Sequence, residues 1–142
     1  TGVRCLVQAS GDLGQRTHTA FRLHCEQGPL LLTGTDCPPL TPDHLLRAAQ
    51  ALLDGDDAVF YPAEDGGYVL LGLRRPQAAL FENIAWSTDV VMAQTRERAS
   101  ATGLRLRELE TLWDLDVPGD LVRWRAWRDQ HSAHVSSLAV AP

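Results

Sequence analysis

The amino-acid sequence predicts an α/β domain with a largely parallel sheet, and three observations lead there. Short apolar runs rich in Val, Leu and aromatic residues alternate with longer stretches whose apolar positions recur at helical spacing. Glycine and proline stand at the joints between them. Carboxylates gather just after the strand-like runs, at the strand ends where open α/β sheets bind ligands. A length of 142 residues fits one domain able to bury about 70% of its unfolded surface.

Val3–Gln8 (VRCLVQ) reads as a first strand, followed by a tight turn over Gly11 and Gly14 whose amides could face an anion. Ala20, Phe21, Leu23 and Cys25 fit a helix over Gln15–Gln27, which Gly28 and Pro29 stop. Leu30–Leu40 (LLLTGTDCPPL) is the central strand and its exit. Pro38 and Pro39 force the strand to end just beyond Asp36, because proline lacks the N–H that a ladder needs. Thr41 caps a helix that starts at Pro42 and ends before Gly55. Ala58–Pro62 and Tyr68–Leu73 are strands flanking Ala63–Gly67, a connection that is either a hairpin or a loop over the ligand crevice. Gln77–Glu82 forms a short helix. Ser87 or Thr88 caps a longer one through about Ala101, with Gly103 beyond its end. Leu104–Leu109 alternates apolar and charged residues as a half-buried strand does. Pro118 opens a final helix to about His131, faced with Leu121, Val122, Trp124 and Trp127. Residues 1–131 then form a single domain and 132–142 a tail.

Composition excludes several classes of function. A net charge of −5 is the wrong sign for a nucleic-acid binder. No apolar run approaches the length needed to cross a bilayer and no signal sequence is evident, so the expected location is the cytoplasm. Cys5, Cys25 and Cys37 are odd in number and share no metal-knuckle spacing, which points to reduced thiols. Cys37 next to Asp36 has no histidine nearby in sequence to activate it, so a small buried filler is the better reading. The histidines, His18, His24, His44, His131 and His134, form no metal pair and are explained by surface or helix-end positions. Every cationic side chain other than histidine is arginine. Any phosphate held by a side chain is therefore held by arginine.

Three groups of chemistry-bearing residues fall at strand ends: Thr35-Asp36, Glu64-Asp65-Gly66-Gly67-Tyr68, and Asp114 with Asp116. Carboxylates brought together repel one another, an arrangement that a divalent cation relieves. Hard oxygen ligands favour Mg²⁺ or Mn²⁺ over zinc. The bland alternative is that these acids are caps and solvated turn residues. Gly66 and Gly67 let the backbone approach a ligand closely or supply positive φ in a turn. Trp86-Ser87-Thr88 could place an indole in the crevice and hydroxyls near a ligand, although packing explains Trp86 and a helix cap already explains Ser87 or Thr88.

The ordered series Gln8…Gly11-Asp12-Leu13-Gly14-Gln15-Arg16, Gly34-Thr35-Asp36-Cys37-Pro38, Pro62-Ala63-Glu64-Asp65-Gly66-Gly67-Tyr68, Trp86-Ser87-Thr88 and Asp114-Leu115-Asp116…Asp120-Leu121 closely resembles an uncharacterised bacterial family with the glycosyltransferase A fold. That family is similar to the guanylyltransferases of molybdenum-cofactor and phospholactate-linked deazaflavin synthesis. The resemblance implies a three-layer nucleotide-diphospho-sugar transferase-like fold and a metal-dependent transferase acting on a nucleotide donor, either a nucleotide sugar or an NTP. It implies that Asp36 binds the metal and serves catalysis, with Asp114 or Asp116 completing the site and Asp65 as the acceptor-side carboxylate. Gly11, Gly14, Arg16 and Thr35 would lie on the nucleotide side. Glu64, Gly66, Gly67, Tyr68, Trp86 and Ser87 would shape the pocket for acceptor or sugar.

Two departures stand out. Val117 occupies a place where the family commonly has a capping threonine. Family members also begin with a strand and a glycine-rich basic loop that cradles phosphates, and nothing before Thr1 supplies it in this sequence. The expectation is thus a fold truncated at its amino end, with an uncovered sheet surface through which the chain self-associates as a homo-oligomer. The rival reading is a catalytically silent binding or assembly module derived from the same fold.

Overall fold

The computed structural model describes residues 2 and 4–138, the side chains of 132–138 excepted. Four helices and four strands follow in the order α1 (Leu13–His24), β1 (Leu30–Thr33), α2 (Pro42–Leu53), β2 (Ala58–Pro62), β3 (Tyr68–Leu73), α3 (Val91–Ala101), β4 (Leu106–Glu108) and α4 (Asp120–Leu138). Single 3₁₀ turns follow α1 at Cys25–Gln27 and precede α3 at Ala78–Phe81.

The strands form one sheet in the order β1-β3-β2-β4. β3 runs antiparallel to both β1 and β2, and only β2 and β4 pair in parallel. The expected largely parallel sheet is therefore corrected to a mixed one. The cause is the connection between β2 and β3, which is far too short for the crossover that a parallel pair requires, so the chain must turn back as a hairpin. β1, β2 and β4 still point the same way, and their carboxyl ends meet at one edge of the sheet.

Alternation along β2 divides the core. Ala58 and Phe60 face α1 and α3, packing with Phe21, Leu71, Leu73, Leu80, Phe81 and Met92. Val59 and Tyr61 face α2, packing with Ala48, Ala51, Leu52 and Leu70. The result is three layers, with α2 on one face of the sheet and α1 and α3 on the other. Gly72 lets α2 approach closely. A Cβ there would lie 2.5 Å from Leu31 Cδ2, 2.6 Å from Val59 Cγ1 and 3.0 Å from Leu52 Cδ1. Gly72→Ala is expected to cost about 1–2 kcal/mol by overpacking, read as a lower denaturant midpoint at unchanged slope.

Local chemistry sets the helix ends. At α1, Asp12 Oδ1 accepts from the Gln15 amide at 2.8 Å while Gln15 Oε1 accepts from the Asp12 amide at 2.9 Å, a reciprocal capping box. The helix begins at Leu13 rather than Gln15 for this reason. At α2, Pro42 follows Thr41 as expected, and His44 Nδ1 accepts from the Thr41 amide at 3.1 Å. Gly55, at φ +108°, ends it.

Other expectations are corrected. Arg4–Ala9 pairs with no strand and lies exposed along α1, while Val3 is outside the described residues. Neither Ser87 nor Thr88 caps α3. Ser87 adopts φ +62°, the Thr88 hydroxyl donates to the Ala85 carbonyl, and the helix starts only at Val91. α4 continues through Leu138 instead of ending near His131, and the rest of the expected tail, 139–142, is outside the described residues. Its apolar residues also do not dock as a face: Leu121 and Val122 are exposed, and Trp127 stacks on His131 of the same helix. No described helix is long and apolar enough to cross a membrane.

Candidate functional site

The shared edge where β1, β2 and β4 end is stitched together by backbone hydrogen bonds. Beyond β4, the Leu109 amide donates to the Phe60 carbonyl, and the Leu112 amide to the Pro62 carbonyl, each at 2.9 Å. The Glu64 amide returns a bond to the Leu112 carbonyl at 3.0 Å. The segment after β4 therefore travels along β2 to its end and delivers Asp114 and Asp116 beside the β2–β3 loop. On the other side, the Leu115 amide donates to the Asp36 carbonyl at 2.9 Å, tying in the turn that follows β1.

This convergence brings carboxylate oxygens of Asp65, Asp114 and Asp116 within 4.8 Å of one another. Among the described residues none of the three forms an ion pair with arginine or histidine. Elsewhere the chain pairs its acids readily: Asp56 with Arg107, Asp57 with Arg74, Glu108 with Arg96, Glu110 with Arg47. Burial, followed by the Asp116 and Asp65 charges, pushes Asp114 up to about 6. Asp116 is raised too, by burial first and then by Asp65 and Asp36. Asp65 is aimed by its own turn, its Oδ1 accepting from the Gly67 amide at 2.9 Å.

A cleft of about 490 Å³ opens over these carboxylates, lined also by Leu13, Tyr68, Trp86, Ser87 and Asp89. Two glycines hold its walls. A Cβ on Gly14 would sit 2.6 Å from Trp86 Cζ2, so this glycine admits the indole against the first turn of α1. Gly66 has φ +91°, and a Cβ there would overlap the Asp89 carbonyl oxygen and lie 2.7 Å from the Asp89 Cα. Its carbonyl accepts from the Met92 amide at 2.9 Å and so also caps α3.

The residues singled out in the sequence divide between this cleft and its surroundings. Asp65, Asp114, Asp116, Gly67, Tyr68, Trp86 and Ser87 line it. Asp36 does not, and its carboxylate is outside the close trio, near enough that its charge raises Asp114 and Asp116. Asp65, assigned above to the acceptor side, takes the place in the trio expected of Asp36. Glu64 turns away and pairs with Arg123, which lies over the Trp113 ring at 4.5 Å. Thr35 is exposed beside the turn. Gly11 takes φ +112° ahead of the capping box, and Arg16 donates to Gln8 Oε1 at 3.0 Å beside a separate groove between α1 and the amino-terminal segment. Burial raises the Cys37 thiol to about 11, which keeps it protonated and unreactive at neutral pH. Sequence reasoning missed Leu13, Asp89 and Val91. Leu13 carries no chemical signal, and Asp89 was masked by the capping role given to the hydroxyls before it.

A family described as uncharacterized proteins conserved in bacteria (DUF2064) matches residues 1–88. The structure is similar to that of a proposed nucleotide-diphospho-sugar transferase from Desulfovibrio desulfuricans G20, at a TM-score of 0.72 and 29% identity. The similarity covers 78% of this chain and 49% of the other, so the chain spans about half the length of that solved protein. No curated protein matches.

Proposed function

The chain belongs to this family of uncharacterized bacterial proteins, and from that starting point we propose that its cleft serves a metal-dependent transferase using a nucleotide-activated donor, in the first place a nucleotide sugar. The observation that carries the reading is the trio Asp65, Asp114 and Asp116, brought within 4.8 Å at the carboxyl ends of parallel-running strands and, among the described residues, in no arginine or histidine ion pair. Hard oxygen donors whose charges repel fit Mg²⁺ or Mn²⁺, and burial of Asp114 adds to the demand for a counter-charge. When bound, such a cation would neutralise charge on donor phosphates. The chain itself contributes placement: the Gly67 amide orients Asp65, and the Leu115–Asp36 bond holds the Asp114–Asp116 segment against the β1 turn. The likeness to a proposed nucleotide-diphospho-sugar transferase supports the donor class.

The test is calorimetric titration of UDP- and GDP-sugars and of NTPs, with Mg²⁺ or Mn²⁺ and again with EDTA. Binding is expected with metal alone. Asp36→Ala decides the role of the fourth carboxylate: a loss of about tenfold or less places it outside direct ligation, and a loss matching that of Asp114→Asn places it among the ligands.

Self-association belongs to the same proposal. β1 stands at a sheet edge, and Leu6, Leu13 and Leu23 are exposed around the groove beside it. Sedimentation equilibrium is expected to give a concentration-dependent mass; a constant monomer mass removes this expectation.

A further inference from the structure

The lining of the cleft bears on what shares it with the donor. Besides the carboxylate trio it includes Leu13, Tyr68, Trp86, Ser87, Asp89 and Thr88, whose hydroxyl donates to the Ala85 carbonyl. Four aspartates line the cleft, and among the described residues no arginine or histidine does. The arginines on neighbouring elements are engaged elsewhere: Arg123 with Glu64, Arg96 with Glu108, and Arg16 with Gln8. A cation bound to the trio could offset a donor diphosphate, but a second anion lodged near Asp89 would meet carboxylates alone.

We propose that the group seated against the Trp86–Tyr68 wall is an uncharged, hydroxyl-bearing ring, a neutral sugar or cyclic polyol, and not a phosphate- or carboxylate-bearing acceptor. The inference rests on the transferase reading only in naming that group the acceptor. Its chemistry comes from the wall. The Trp86 indole packs closely against Gly14, and an apolar ring there offers a surface for the C–H face of a pyranose or cyclitol. Tyr68 forms no hydrogen bond through its hydroxyl among the described residues, and burial keeps that hydroxyl protonated. Asp89 forms no ion pair among the described residues either, which leaves a carboxylate able to accept from vicinal hydroxyls. A volume of about 490 Å³ accommodates one such ring beside the trio.

The experiment is saturation-transfer NMR on the full chain, without metal or nucleotide, using glucose, mannose, galactose and myo-inositol against glucose 6-phosphate, glucuronate and 3-phosphoglycerate. At least one neutral compound is expected to bind, and the anionic compounds to bind about tenfold more weakly or worse, since each added charge faces several carboxylates. Trp86→Ala is expected to abolish the neutral signal. Asp89→Asn, which keeps the side-chain shape and so guards against a folding defect in the tryptophan variant, is expected to narrow the discrimination against anions by about threefold or more. Equal or tighter binding of an anionic compound overturns the proposal, as does silence across all the neutral ones. With neither metal nor nucleotide present, failure of the donor titrations leaves this result standing, and a preference for anions defeats this inference while leaving the transferase reading intact.

Discussion

Asp114→Asn is expected to make the metal-free protein more stable at pH 7.5 while weakening metal-dependent nucleotide binding by about 100-fold or more. Both effects have one origin. In the folded chain Asp114 is raised to about 6, by burial and then by the charges of Asp116 and Asp65. A carboxylate raised by folding favours the folded state while it is protonated, and that contribution is lost as pH climbs from the unfolded value near 4 through the folded value near 6. Wild-type apo-protein should thus gain stability as pH falls from 7.5 towards 5. After allowance for solvent screening at this part-exposed site the gain is about 1 kcal/mol, a few degrees in melting temperature. The asparagine variant should show a flatter profile across the same window and start higher. Scanning calorimetry at several pH values with EDTA reads the first effect, and titration with Mg²⁺ and a nucleotide sugar reads the second. A variant that keeps the wild-type pH profile would mean that folding does not raise Asp114. One that keeps wild-type nucleotide affinity would remove Asp114 from the site.

Gly66→Ala should be the most damaging single-methyl change in the molecule. The added carbon has nowhere to go, because its neighbours are the backbone carbonyl and Cα of Asp89, which cannot swing aside as a side chain can, and the site also demands φ +91°. Strain and overpacking together are expected to cost about 3 kcal/mol, or roughly 10 °C in melting temperature. Any relaxation would move the β2–β3 loop off the start of α3, stretch the Met92–Gly66 bond and separate Asp65 from its partners. Gly67→Ala is the matched control. Its Cβ would meet the Asp65 carboxylate, with Oδ1 nearest at 3.2 Å, and a cost under about 1 kcal/mol is expected. Similar melting temperatures for the two variants would show that the loop is not seated on α3 as described.

The sequence by itself determined the elements whose ends are governed by neighbouring residues. Ala58–Pro62 and Tyr68–Leu73 are strands with the expected bounds, because a β-rich run between Gly and Pro signals has few other local solutions. α2 is framed by Thr41, Pro42 and Gly55 for the same reason. Placing acids after strands also marked the general neighbourhood of the cleft, since strands that run together must end together. Only the tertiary structure decided the direction of β3, the choice of Asp65 over Asp36 for the close trio, and the work of Gly14 and Gly66. It likewise left Arg4–Ala9 outside the sheet despite a strand-like composition, because a strand exists only where another offers a ladder. Each of these depends on pairing between residues far apart in the chain: local propensity chooses the shape of a segment, whereas distant partners choose its direction, its neighbours and the charges it must share.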